Sequence, residues 1–522
     1  MIYDDVIQTL ADLVTMQAQR YPDRKALIFQ GRSLTYQQLD RQSDRLAAAL
    51  LQKNIQARSR VAVWAKDSLK SYEILFACAK IGAVFVPVNW RLATPEICYI
   101  LKDAEVELLF VDQPFCTVVE SIAPELEQIQ SIITLQPSSQ NWLNYETLLQ
   151  ENDTALKITI QPEMIAVQMY TSGTTGHPKG VQLAHYSFFA IAKEFAKQNK
   201  QWIGWSDQDK SLLTLPIFHI GGLWWAVRGL IAGAENVLLE AFIPADALKA
   251  IAHHRITKTC VVPAMIQAML MEPSCRSTDF SSLDTVVYGG SPIAETLLNQ
   301  AIELFGCGFF QIYGMTETGN CAITLTATDH AMPHRLKAAG SPFPGVEIAV
   351  VNSHSQKVPQ GEIGEICIRS PANMIGYWKL PEATAKTLID GWIHTGDAGY
   401  LDEDGYVYIC DRIKDMICYA SENIYPAEVE NVLYQHSAIA EVAVIGVPDS
   451  QWGETVKALI VLKPGAEATA LDIINFGRGK LANFKLPRSV EFIDLLPRTP
   501  SGKVQKGRLR EKYWQGYQRQ VN

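Results

Sequence analysis

The residues best suited to chemistry fall in one ten-residue stretch, Thr171-Ser172-Gly173-Thr174-Thr175-Gly176-His177-Pro178-Lys179-Gly180. It holds four hydroxyls, three glycines and a lysine. Glycines let backbone N–H groups approach an anion closely, hydroxyls add donors and the lysine adds charge, so the stretch is suited to phosphate. It is not a Walker A loop, because Pro178 stands where that loop needs its second glycine. No G-x-G-x-x-G follows an expected strand, which argues against a dinucleotide fold. Further along are Glu317, Asp397, Arg412, Lys414 and Lys503. Taken singly, an acid such as Asp397 is usually a solvated surface group and a tail lysine such as Lys503 is usually surface charge. Composition alone names no reaction.

The phosphate-type loop needs elements to hold it. Met164 to Tyr170 reads as a strand before it, and a helix with Phe188, Ile191, Ala192 and Phe195 on one face is expected after it. Ala26 to Gln30 and Val61 to Ala65 read as strands, and Asp40 to Gln52 and Ser71 to Gly82 as helices, the latter ending on a glycine cap. Such alternation continues past residue 300, the pattern of α/β layers. After residue 411 the texture changes to a helix with Val429 and Val432, strands at Val442 to Val447 and Ala458 to Leu462, and a helix from Leu471. That helix would contain Gly477 and Gly479, each costing about 1 kcal/mol relative to alanine. The segment from Pro497 to Arg510 reads as basic loop.

At 522 residues the chain exceeds one hydrophobic core, so at least two domains are expected. Hydrophobic content of 48% and charged content of 19% mark a globular protein. A net charge of −9 argues against general nucleic-acid binding. Ten scattered cysteines without a C-x-x-C pair read as buried small hydrophobes or free thiols, which fits a reducing, cytoplasmic setting. MIYDDVIQTL lacks the basic and apolar regions of a signal peptide. The apolar stretch from Ile217 to Leu239 contains His219 and Arg228 and reads as buried core, with no integral membrane segment expected.

Several segments occur together and in order. After the Thr171 loop come Gly289-Gly290-Ser291-Pro292, Tyr313-Gly314-Met315-Thr316-Glu317, Gly391-Trp392-Ile393-His394-Thr395-Gly396-Asp397, Asp411-Arg412-Ile413-Lys414-Asp415, and the lysine-bearing Pro497 to Lys506. This series, spread over nearly the whole chain, resembles the adenylate-forming superfamily of AMP-binding enzymes: acyl-CoA synthetases, peptide-synthetase adenylation domains and luciferases. The resemblance implies an α/β fold. A large multi-subdomain N-terminal lobe of layered sheets and helices would span residues 1–411, and a hinge 412–415. A small mobile α+β lobe, residues 416–522, would carry the catalytic lysine.

The resemblance also implies roles. A carboxylate attacks the α-phosphate of ATP and pyrophosphate leaves, chemistry that depends on positioning and charge stabilisation. Thr171, Ser172, Gly173, Thr174, Thr175, Gly176 and Lys179 would hold the β- and γ-phosphates, and Thr316 the α-phosphate. Glu317 would bind Mg²⁺ through carboxylate oxygen. Tyr313 would stack on adenine beside Gly289, Gly290 and Ser291. Asp397 and Arg412 would hold the ribose, and Lys503 would meet the developing charge. Lys414 would be the hinge about which the small lobe turns between adenylation and thioester formation.

For the acyl group, His219, Gly314 and Met315 would border the pocket. A tryptophan stands at the Gly314 position in acetate-specific relatives, so glycine implies room for a medium- or long-chain fatty acid or an aryl acid. The implied reaction is an acid–CoA ligase using ATP, Mg²⁺ and coenzyme A, as monomer or homodimer. Tyr419-Ala420-Ser421 replaces the usual S-G-G before Glu422-Asn423, where the two glycines line the path of the pantetheine arm. An adenylating enzyme with a carrier-protein thiol or an amine as acceptor is therefore the alternative, and a silent acyl- or nucleotide-binding protein a third reading.

Overall fold

Arg60–Trp64 is apolar at nearly every position and almost wholly buried, as a strand covered on both faces must be. It pairs in parallel with Val84–Pro87 and Leu108–Val111. The computed structural model describes residues 6–138, 140–150, 158–171, 177–419, 422–449, 451–499 and 503–515. Ser172, Gly173, Thr174, Thr175 and Gly176 of the phosphate-type loop lie outside the described residues, as do Ala420 and Ser421.

Among the described residues there are four sheets. One of eight strands contains Arg60–Trp64, Ile165–Thr171 and Lys179–Ala184. A second, of nine, places Gly308–Tyr313, Thr285–Gly289, Lys258–Val261 and Lys210–Leu213 side by side. Helices Leu69–Ile81 and Ile220–Ala232 are buried round nearly their whole circumference, and their side chains join one core cluster with residues of both sheets. The expected buried segment after Ile217 is thus largely the helix Ile220–Ala232, which stops at Gly233 in the left-handed region (φ 74°). A third sheet carries Gly364–Arg369, Trp392–Leu401 and Val407–Arg412. The fourth lies beyond Arg412 and pairs Ile439–Asp449 with Gly453–Leu462 over its own core. The architecture is α/β in layers with a separate α+β unit at the C-terminus. No helix among the described residues is long and apolar enough to cross a membrane. None of the ten cysteines is in a disulfide among the described residues.

Three local expectations are corrected. The Thr171 loop leads into a strand, Lys179–Ala184, because Val181 and Gln182 pair with both Ile165–Thr171 and Gly376–Tyr377. The expected helix starts only at Ala190 and leaves Phe188 in a preceding 3-10 turn. The helix begun near Leu471 runs Ala470–Gly477 and ends there, so Gly479 (φ 75°) sits in the following turn and neither glycine is internal. The basic tail is not all loop: Lys506–Trp514 is a helix that buries Leu509 and Trp514 against the last sheet.

Candidate active site

Strand register builds the first wall. Trp392–Leu401 and Val407–Arg412 run antiparallel with Asp397 opposite Arg412. Arg412 Nε lies 2.6 Å from Asp397 Oδ1, and Arg412 Nη1 donates to the Thr395 carbonyl at 3.2 Å. Tyr313, at the end of Gly308–Tyr313, donates its phenol proton to Asp397 Oδ2 at 2.5 Å. Burial pushes the Asp397 carboxyl above its ordinary pKa, while Arg412 and the Tyr313 hydrogen bond pull it back. Each carboxylate oxygen keeps a further lone pair for another donor. Tyr313 itself backs this wall and does not line the adjoining cavity; Ser291 does not line it either.

The second wall carries the phosphate-type residues. Thr171 pairs directly with Lys179, so the intervening loop connects two strands and its ends face each other. Lys179 Nζ stands 4.8 Å from the centre of the Tyr377 ring. The Tyr377 hydroxyl donates to Glu317 Oε1 at 2.7 Å. Glu317 is buried in the short turn Thr316–Thr318 that follows Tyr313-Gly314-Met315. Thr171, Lys179, Thr316, Glu317, Gly289, Gly290, Arg412, Lys414 and Lys503 all line one cavity of about 1030 Å³.

Lys503 enters that cavity from the last unit. Thr499 N donates to the Lys503 carbonyl at 2.7 Å and Lys503 N to Thr499 Oγ1 at 3.1 Å, so the two residues hold each other. The side chain stays open to the cleft, but surrounding protein still pushes its ammonium pKa down. Burial is the main cause and Arg412 adds to it, while Asp397 and Glu317 oppose it.

Apolar side chains, Phe242, Val262, Met265 and Ala268 among them, also line the cavity. Its rim is the turn Pro216-Ile217-Phe218-His219, fixed by Ile217 N donating to the buried Asp67 carboxylate at 3.0 Å. Burial raises the Asp67 pKa to about 7. His219 is pushed down to about 3 by burial, then by Arg91 and Lys503, so its ring is neutral. Its Nε2 is enclosed and has no hydrogen-bond partner among the described residues. Gly314 and Met315 also line the cavity. Gly314 also has a backbone cause. A Cβ there would sit 1.7 Å from the Asn320 carbonyl oxygen, so this backbone path depends on glycine.

Sequence reasoning missed Tyr377, Thr395, Asp67 and Arg91. Tyr377 reaches Glu317 only because Gly376–Tyr377 adds to the edge of a sheet formed some two hundred residues earlier in the chain, and no local signal marks that pairing. Thr395 was inside a quoted motif, and its hydroxyl holds the Asp397 N–H at 3.0 Å.

A family model for AMP-binding enzymes matches residues 14–378, and one for the AMP-binding enzyme C-terminal domain matches residues 428–503. A fatty acid–[acyl-carrier-protein] ligase of Streptomyces coeruleorubidus is 47% identical, over 99% of this chain and 98% of its own. An indoleacetate–CoA ligase of Aromatoleum aromaticum is 36% identical, over 96% and 98%. Among solved structures, an anthranilate CoA ligase in complex with anthranoyl-AMP superposes with a TM-score of 0.89 at 28% identity, covering 97% of each chain. With one cavity lined by Lys179, Glu317, Arg412, Lys503 and apolar side chains, and matched almost end to end, the chain belongs to the AMP-binding enzymes, the adenylate-forming superfamily of AMP-forming ligases.

Proposed function

We propose that this ligase adenylates a medium- or long-chain fatty acid or an aryl acid and passes the acyl group to the thiol of coenzyme A. The observation that carries the reading is the single cavity that joins Lys179, Arg412 and Lys503 to the apolar side chains of Met265 and Ala268. At about 1030 Å³ it lies at the upper end of ordinary ligand pockets and has room for a nucleotide and an acyl chain together.

In this reading Asp397 and Arg412 hold the ribose, and Lys179 with the Thr171 loop holds the β- and γ-phosphates. Tyr313 positions Asp397 from behind. Lys503 stabilises the charge that gathers between the attacking carboxylate and the α-phosphate. Glu317, with one oxygen oriented by Tyr377, suits a hard cation, and it would hold Mg²⁺, which neutralises phosphate charge when bound. Neutral His219 is a pocket wall and moves no proton. Residues 412–415 act as the hinge between a lobe ending at 411 and a lid starting at 416, and a turn at Lys414 withdraws Lys503 so that a thiol can reach the adenylate.

One observation favours a carrier-protein thiol as acceptor. Tyr419 stands where a small residue is usual, is stacked on Trp452 at 5.2 Å between ring centres, and takes a hydrogen bond from Arg488 at 2.7 Å. It thereby places a large ring at that position, and the 47%-identical relative is named as a ligase for a carrier protein. The test is pyrophosphate release over a panel of acids, followed by thioester formation with coenzyme A and with a holo carrier protein. Acyl-CoA formation supports the leading reading. Thioester on the carrier alone replaces it with the second. No pyrophosphate with any acid removes both.

A further inference from the structure

The helix Lys506–Trp514 places Lys506 and Arg510 four residues apart, on one face and one turn from each other. Both grip the chain around Lys414, from opposite sides. Arg510 Nη1 donates to the Lys414 carbonyl at 2.9 Å, and Arg510 Nη2 pairs with Asp415 Oδ1 at 2.6 Å. Lys506 Nζ lies 3.6 Å from Asp411 Oδ2 and 2.9 Å from Glu430 Oε1. Asp411 is shared further. Its Oδ2 accepts from Ala427 N at 2.9 Å, in the first turn of the helix Pro426–Leu433, where unsatisfied N–H groups favour a carboxylate. Its Oδ1 accepts from Arg412 N at 2.7 Å. The side chains of Asp411 and Lys506 are only 9% and 14% exposed, so solvent screens their contact weakly.

These contacts differ in one respect that decides what they can do. Asp415 and Arg510 lie on the same side of Lys414 in the chain, so a turn at Lys414 leaves their pair intact. Asp411 lies on the other side, and a turn carries Ala427 N, Lys506 and Glu430 away from it together. Lys503 precedes Lys506 by three residues, at the mouth of the same helix. We infer that Asp411 and Lys506 form a latch that positions Lys503 over the Asp397–Arg412 pair for adenylation and must open before thiol transfer. The inference deepens the two-step reading above and depends on it. Neither residue lines the reaction cavity, so both act through Lys503 as positioning residues.

The variants Lys506→Met and Asp411→Asn in the full chain test the latch. Asparagine keeps an acceptor for Ala427 N, which preserves the helix start. Pyrophosphate release and thioester formation from supplied acyl-adenylate are measured separately, with trypsin cleavage after Arg412 and Lys414 as a readout of hinge exposure. We expect kcat for adenylation to fall roughly tenfold in each variant at little-changed KM for ATP, with thiol transfer equal or faster. Hinge cleavage should speed up, Lys506→Arg should restore adenylation, and the double variant should be no worse than the poorer single one. Equal losses in both half-reactions, or no change in either, overturn the latch. A wild-type enzyme that releases no pyrophosphate with any acid overturns the two-step reading instead, which keeps the two failures distinct.

Discussion

Asp397, held behind the cleft by Arg412, and Lys503, which lines it, have opposite kinds of support. Asp397 is 6% exposed and has both oxygens engaged, by Arg412 at 2.6 Å and by Tyr313 at 2.5 Å. Its partners come from adjacent strands and an abutting one, so its orientation is set by sheet register. Lys503 is held through its backbone by Thr499, and its side chain stays open to the cleft. A group fixed before substrate arrives costs no reorganisation during reaction. A cation on a separate unit can be delivered and withdrawn. In the proposed function the difference separates a fixed binding wall from a catalytic group that can be withdrawn, and it predicts that damage to the two will look different in kinetics.

The largest expected effect is on the removable side. Lys503→Ala should lower the adenylation rate by roughly 10²–10³-fold while leaving thioester formation from supplied acyl-adenylate near its original rate. Parallel measurement of the two half-reactions checks this, and equal losses would place Lys503 in the permanent wall. Asp397→Asn should come next. It leaves Arg412 and Tyr313 without their anion and should raise KM for ATP by roughly one to two orders of magnitude, in both nucleotide binding and overall turnover. If KM for ATP stays unchanged while only kcat falls, Asp397 belongs with Lys503 and the comparison breaks.

The smallest effect is on pH dependence. Lys503 acts as a cation and Asp397 as an anion. The Lys503 pKa is lowered from 10.5, so activity should fade as pH rises through a value below that of an ordinary lysine. The Asp397 pKa is raised from 3.8, so activity should fade as pH falls through a value above that of an ordinary aspartate. Both limbs of the pyrophosphate-release profile therefore move inward. His219, at about 3, stays neutral across that range and adds no limb. Lys503→Arg should move the alkaline limb outward and leave the acid limb in place, which would sharpen the division between the two sides.

Much of the nucleotide end was legible because its residues travel in short motifs. Tyr313 to Glu317 span one strand end and the turn after it, and Thr395 to Asp397 lie within one strand, so their mutual placement is local. The apolar lining was less legible. Gly314 read as a pocket determinant, yet the Asn320 carbonyl 1.7 Å from its absent Cβ gives the glycine a backbone cause that no spacing reveals. The strand Lys179–Ala184 was read as the approach to a helix because its pairing partners, Ile165–Thr171 and Gly376–Tyr377, include one far along the chain. Gly477 and Gly479 stood as an unexplained cost within a helix and became its end once the chain was seen to turn there.

The sequence by itself determined the layered α/β architecture and the series of motifs that marks the family, because alternation and motif order are local properties of the chain. Tertiary structure decided which of them touch. It brought Tyr377 to Glu317, and Asp67 to the turn before His219, across long stretches of chain. It also set Lys506 against Asp411 across the Lys414 segment, a contact that exists only when two separately folded units meet. Such pairings depend on sheet order and on packing between distant segments, and no periodicity within a short window encodes them.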